Sequence, residues 1–315
     1  GARVTPGKAA IIYHCGAGRG NAAKLVQATR QRLVASGWQV VEIARTQYDG
    51  HARDELAPSL AKQVDLIVVI AGDGTLREVS TGLSRVASDI PIGFVPTGNA
   101  NVLARELNIP LQPGPAIDLL AEGKVRQLDI GTLRIHADAA DPLFFLAMIE
   151  IGFGARVVHL THRLRSGRLR AIYRRWGDTV YAAAAVGALV SPTEQRFQLY
   201  PDNAGTPRHA TAAIFANTRC YAKGWSMAPD ARMDDGQLDL VTRQRCSPGI
   251  ILRAFHAAAQ ARRASKAFSR YEQGQRFIIQ SDTPLSVQMD GDPLPGVKWM
   301  EVGLAPGRLR LITPQ

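Results

Sequence analysis

Short apolar runs alternate with stretches of helical pattern through the first hundred residues, and this alternation restricts the fold more than any other feature of the chain. The runs are "AAIIYH" (Ala9–His14), "WQVVEIA" (Trp38–Ala44), "DLIVVIA" (Asp65–Ala71) and "IPIGFV" (Ile90–Val95). Helical periodicity follows each of them, over 21–35, 51–62, 75–86 and 99–107. Strands that are apolar at every position are buried on both faces, and strands separated by helices pair in parallel. The expectation is an N-terminal α/β domain built on a parallel, Rossmann-like sheet.

Three of the four strand-to-helix turns are rich in glycine, and in such a sheet these turns gather at the carboxyl edge, where ligands bind. A glycine turn opening onto a helix brings bare backbone N–H groups to an anion, which the helix dipole also favours. In "AGDGTLREV" (Ala71–Val79) a carboxylate, Asp73, stands between two glycines. An acid beside a phosphate cradle is unfavourable unless a divalent cation lies between them, so the pattern suggests a nucleotide with magnesium. No Gly-Lys-Ser/Thr follows, so this is not a Walker loop, and "GAGRG" (Gly16–Gly20) only half imitates the dinucleotide fingerprint.

The 315 residues are long for one core and predict two domains. Hydrophobic residues make up 46%, which excludes disorder, and no apolar run approaches the ~18 residues of a membrane span. "YAAAAVGALV" (Tyr181–Val190) reads as a packed helix. Cys15, Cys220 and Cys246 have neither metal-type spacing nor an evident disulfide scheme, which suits a reducing cytoplasm.

The net charge of +11 is uneven. Between Glu150 and Asp178 there is no acid, yet Arg156, Arg163, Arg165, Arg168, Arg170, Arg174 and Arg175 fall there, with His159 and His162 among them. Such a stretch favours an anionic membrane surface or nucleic acid, against a merely solvated basic helix. Ile172, Tyr173, Trp176 and Tyr181 add an interfacial mix, so we read it as membrane docking by a peripheral protein. No nucleic-acid-binding pattern accompanies the charge.

From Gly123 onward the pattern changes to short β segments with few helices: "VRQLDIGTLRI", "LFFLAMIEI", "RFQLYP", "ATAAIFAN", "QLDLVTR", "RFIIQSD" and "LSVQMDG". They predict an antiparallel β-sandwich domain over 123–306, interrupted by helical insertions near 154–189 and 247–264. Residues 1–122 form the α/β domain, to which a last strand near 307–315 returns. Oligomeric state stays open, a homodimer included.

The ordered set of motifs resembles the diacylglycerol kinase catalytic-domain family, which includes sphingosine, ceramide and bacterial lipid kinases. "AGDGTLREVSTGL" and "PTGNANVLAREL" are similar to its two phosphate loops, "HCGAGRG" falls at its first loop, and "RTQYDGHARDEL" at its second turn. "KGWSMAPDARMDDGQLDLV" and "VQMDGDPL" resemble its C-terminal phrases, the second with Asp292 where the family has glutamate. Ala71 replaces the first glycine of one loop, Asn99 a threonine of the other, and Gly18 a serine of the first, which reads as loosened nucleotide contacts.

The resemblance implies an ATP- and magnesium-dependent lipid kinase with its chemistry in a cleft between the domains. Asp290 would be the base that takes the proton of the lipid hydroxyl, and Asp73 would hold the nucleotide's magnesium or order its γ-phosphate. Gly72, Gly74, Thr75, Thr46, Gly98, Asn99, Asn101 and Gly18 would surround the nucleotide, with Asp292 supporting metal or base. Asp230, Asp234 and Asp235 would include the ligands of a magnesium that shapes the cleft, with a solvated acidic loop as the rival reading. Two other functions remain open: an NAD kinase-like enzyme with a soluble substrate, and a non-catalytic lipid or nucleotide sensor.

Overall fold

The computed structural model describes residues 4–139, 141–166, 195–202, 206–221, 225–245, 247–264 and 269–314. The chain divides into two compact units. The first comprises Gly1–Ile130, Met233–Asp235 and Ala305–Gln315, and the second Gly131–Arg232 and Gly236–Leu304.

In the first unit, β1 (Lys8–Tyr13), β2 (Gln39–Arg45), β3 (Leu66–Ala71) and β4 (Ile92–Pro96) lie in the order β4–β3–β1–β2, all parallel. β3 and β4 are buried at every residue, as their unbroken apolar sequences require. The helices are α1 (Ala22–Ala35), α2 (Ala57–Leu60, entered through a π turn at Ala52–Leu56), α3 (Asp73–Arg85), α4 (Val102–Glu106) and α5 (Pro113–Glu122). Ile11, Val68, Ile70, Leu33, Trp38, Ile117 and Leu120 form the core.

One helix start and one whole helix stand out against the sequence expectation. α4 starts at Val102, not Asn99, because Asn101 sits in the left-handed region at φ 45°, a conformation that asparagine tolerates and a helix interior does not. α5 was not expected. Its Pro113 stands in the first turn, where a missing N–H is harmless.

The second unit is antiparallel. β7 (Met148–Ile151), β10 (Ala212–Ala216), β11 (Leu238–Arg243), β12 (Arg270–Gly274), β13 (Arg276–Met289) and the long β14 (Asp292–Thr313) run in the order β12–β11–β10–β7–β13–β14. β5 (Lys124–Arg134) pairs with β6 (Leu143–Phe145), and β8 (Phe197–Pro201) with β9 (Arg208–Ala210) and β13. "RFIIQSD" and "LSVQMDG", read as two segments, are one strand carrying a register shift between Gln280 and Leu285. The end of β14 belongs to the first unit, where Leu311 pairs with Ile92 in parallel. α6 (Phe153–Ser166) and α7 (Pro248–Ala259) are the helical insertions. Residues 167–194, which hold most of the first insertion and "YAAAAVGALV", lie outside the described residues, as does Cys246. No helix among the described residues is long and apolar enough to cross a membrane.

Phe215 and Phe277 meet 5.4 Å apart in the core of the second unit, both fully buried. Phe277→Ala is expected to destabilise the protein by about 3–5 kcal/mol, read as a fall in the denaturation midpoint. A loss below about 1 kcal/mol would mean that this core collapses into the void.

Candidate functional site

The residues expected to contact the nucleotide lie in the first unit. Because its strands are parallel, the turns after β1, β2, β3 and β4 emerge at one edge, and the strand order changes direction between β1 and β3. That switch point is where open α/β sheets bind ligands.

Two of the turns touch. A Cβ on Gly98 would come within 2.8 Å of the Gly72 Cα, and one on Gly72 within 3.2 Å of the Gly98 Cα. Asn101 closes the second turn on itself. Its Oδ1 accepts from Gly98 N at 3.0 Å, and its Nδ2 donates to Gly98 O at 2.8 Å. Asp73, the first residue of α3, accepts from the backbone N–H groups of Val102 (3.0 Å) and Leu103 (3.3 Å). The carboxylate between two glycines is thus a clamp: it satisfies N–H groups that α4 cannot satisfy itself and ties one turn to the next.

The open side of this edge carries the other residues expected around the nucleotide phosphates. Gly74 is exposed, with open space where a Cβ would stand, at the N-terminus of α3. Thr75 is half-buried and Asn99 exposed. Thr46 is buried, its N–H donates to Tyr13 O at 2.9 Å, and its hydroxyl has no partner among the described residues. Such a hydroxyl is a natural contact for a ligand oxygen. Gly18 lies in a 3₁₀ turn (Ala17–Gly20) directly after β1.

Asp290, the expected base, and Asp292 lie in the second unit. Asp290 and Gly291 join β13 to β14 with φ values of 50° and 90°, the Asp-Gly pair of a type I′ hairpin. The Asp290 carboxylate accepts three backbone bonds, from Leu146 (2.7 Å), Ala147 (2.8 Å) and Met148 (2.9 Å). Its own N–H donates to Met148 O at 3.0 Å. Asp292 faces Met289 across the turn and is exposed.

Sequence reasoning missed a second acid here. Glu150, on β7, is 6% exposed. Its Oε1 accepts from Gly154 N at 3.1 Å, and its Oε2 accepts from the Tyr221 hydroxyl at 2.8 Å and from Gln288 Nε2 at 3.2 Å. Gln288 then accepts from Gly291 N at 2.7 Å through its Oε1. Burial pushes the Glu150 carboxyl up from its ordinary range, opposed by the Tyr221 and Gln288 hydrogen bonds, the charge of Arg243 and the Gly154 N–H. The only signal in the sequence is one acid inside the apolar phrase "LAMIEIGF".

The three aspartates read as a metal site do not assemble into one. Asp230 is ion-paired with Arg263, and Asp234 with Arg126 at 2.9 Å. Asp235 is exposed. Among the described residues no three His, Cys, Asp or Glu side chains converge as metal ligands. Two of the three carboxylates are thus charge-compensated by arginines. Of the docking residues, Arg163 is exposed on α6 and Arg165 lies on the same helix. Arg168, Arg170, Arg174, Arg175 and Trp176 lie outside the described residues.

Comparison with known proteins resolves the family. Residues 8–133 match the diacylglycerol kinase catalytic domain, and residues 147–313 the YegS C-terminal NAD kinase beta sandwich-like domain. The chain belongs to the diacylglycerol kinase catalytic-domain family. It is 31% identical over 321 residues to a protein named diacylglycerol kinase from Mycobacterium tuberculosis, covering 98% of this chain and 96% of the relative. A diacylglycerol kinase from Staphylococcus saprophyticus is 23% identical, over 92% and 91% of the two chains. A crystal structure of a diacylglycerol kinase from Bacillus anthracis matches the fold with a TM-score of 0.71 at 19% identity, covering 97% of this chain and 96% of that one. The protein is accordingly a lipid kinase, and kinases of this family use ATP, usually with a divalent metal.

Two outcomes test the geometry. Gly98→Ala forces its Cβ against Gly72, so nucleotide affinity should fall about tenfold in calorimetric titration; unchanged affinity would mean that the contact between the turns is dispensable. Glu150 tests the electrostatics. Its folded pKa lies above the unfolded value, so the native chain retains a proton that the unfolded chain releases. That stability is full below the ordinary value of 4.5 and is lost as pH rises through the folded value. The melting-temperature advantage of wild type over Glu150→Gln should therefore shrink as pH is raised above about 4.5. A constant difference would refute the raised value.

Proposed function

We propose that the protein transfers the γ-phosphoryl group of magnesium–ATP to the hydroxyl of a lipid, with diacylglycerol as first candidate acceptor and a sphingoid base as the second. The observation that carries this reading is Asp290, a carboxylate held on a tight turn by three backbone N–H groups. A base must be positioned before it is strong, and phosphoryl transfer is mainly positioning and charge neutralisation. The names of the relatives supply the diacylglycerol half of the proposal.

In the first unit, the N–H groups at the start of α3, the exposed Gly74 and the Thr46 hydroxyl receive the phosphates. Thr75, Asn99 and Gly18 complete the cradle, while Gly72, Gly98, Asn101 and Asp73 hold its shape. Magnesium enters as part of the substrate, on the nucleotide. In the second unit, Asp290 accepts the proton of the lipid hydroxyl as its oxygen bonds to the γ-phosphorus and the bond to the β-phosphate oxygen breaks. Asp292 borders this turn. The acid-free basic stretch that includes Arg163 and Arg165 docks the enzyme peripherally on an anionic bilayer.

The decisive experiment is transfer of labelled phosphate from magnesium–ATP to diacylglycerol, sphingosine or ceramide in mixed micelles, with NAD as the soluble control. Asp290→Asn should lower turnover by about a hundredfold or more with nucleotide affinity kept, and full turnover in that variant would remove the base assignment. Label in NAD alone would move the protein to a soluble substrate, and ATP binding without transfer would favour a sensor. Reversing arginines across 163–175 should weaken binding to anionic vesicles, each charge being worth about 1 kcal/mol; unaltered binding would remove the docking role.

A further inference from the structure

Glu150 and Gln288 stand opposite each other on β7 and β13, the strands that carry the two sides of the Asp290 anchor. Met148, two residues before Glu150, donates to the Asp290 carboxylate, and Gly291, three residues after Gln288, donates to Gln288. Both residues are buried, Glu150 6% and Gln288 3% exposed. Burial in a β core is expensive for such groups unless each atom is used.

The direction of each bond is fixed. Gln288 receives the Gly291 N–H on its Oε1, which turns its Nε2 toward Glu150. Glu150 receives donors on both oxygens, Gly154 N–H on one and Tyr221 and Gln288 on the other. Only a carboxyl group presents an acceptor at both ends. The space is equally specific: a Cβ on Gly154 would lie 2.2 Å from Glu150 Oε1, so the first turn of α6 is built around this carboxyl.

We propose that Glu150 is a positioning residue for the Asp290–Gly291 turn. By accepting from Gln288 it locks the amide so that its oxygen faces Gly291, and the turn that carries Asp290 keeps one shape. The inference rests on the reading of Asp290 as the base, but it makes its own structural claim about the turn.

The polarity makes a specific test. In Glu150→Gln an amide NH₂ must face either the Gly154 N–H or the Gln288 NH₂, so one bond fails. Gln288→Glu removes the donor and sets two carboxyls side by side. Together the two substitutions restore the bonds to Gly154 and Gly291 and the link between positions 150 and 288, while the Tyr221 hydroxyl turns from donor to acceptor. The amide then at position 150 would accept from Gly154 and donate to the carboxylate at position 288, which would accept from Gly291. Amide exchange at Gly291, read by mass spectrometry or NMR, should rise about tenfold in each single variant and return close to wild type in the double variant. In the transfer assay kcat should follow the same pattern, with the KM for ATP unchanged.

Single variants with wild-type exchange, or a double variant no better than its parents, would overturn the proposal. If a single variant fails to fold, Gln288→Met, which removes the acceptor of Gly291 together with the donor to Glu150, must still raise exchange at that amide, or the proposal fails. If the wild type phosphorylates no lipid, the proposed function falls, while the exchange pattern still decides the role of Glu150.

Discussion

Backbone N–H groups that no strand or helix partner can satisfy govern the functional parts of this protein. Such groups cannot be left bare in a buried setting, and here acids take them up. Asp73 takes those of Val102 and Leu103, Asp290 those of Leu146, Ala147 and Met148, and Glu150 that of Gly154. Each bond joins segments remote in sequence or turns a helix away from a strand. Charge-assisted bonds to backbone donors are among the stronger ones available, so the acids fix loop shape as well as supplying charge. Phosphoryl transfer depends on such fixed geometry more than on any single reactive group.

The parts of the fold set by local pattern were legible. β3 and β4 are buried on both faces because every residue is apolar, β1 is buried over Ala9–Ile12, and the glycines of the first unit mark the turns of the parallel sheet. The glycines at 72 and 98 were read as clearance for phosphate, and the close approach they actually make is to each other. A sequence shows that a Cβ is absent but not what lies opposite the gap. The same limit applies to Glu150: a carboxyl in an apolar strand looks like a surface interruption until Tyr221 and Gln288, 71 and 138 residues away, are seen to meet it.

Asp230, Asp234 and Asp235 illustrate a second limit. Three carboxylates within six residues repel one another and call for compensation, and sequence offered a cation as the compensator. In a chain of net charge +11 arginines are abundant, and two of them, Arg263 and Arg126, arrive from 33 and 108 residues away. The local argument about repulsion was sound; the identity of the neutralising group was non-local and so unreadable.

The way Asp290 is held changes how its chemistry should be interpreted. An amide at this position keeps the size of the side chain but turns an NH₂ toward backbone donors that a carboxylate would accept. The substitution therefore removes the proposed base and also unseats the turn from Leu146–Met148. A loss of turnover alone mixes the two effects, and a change at the Gly291 amide separates them, because a base that is merely neutralised leaves the turn where it was. The hydrogen bonds that make Asp290 a well-placed acceptor are also the reason that its charge and its position cannot be altered independently.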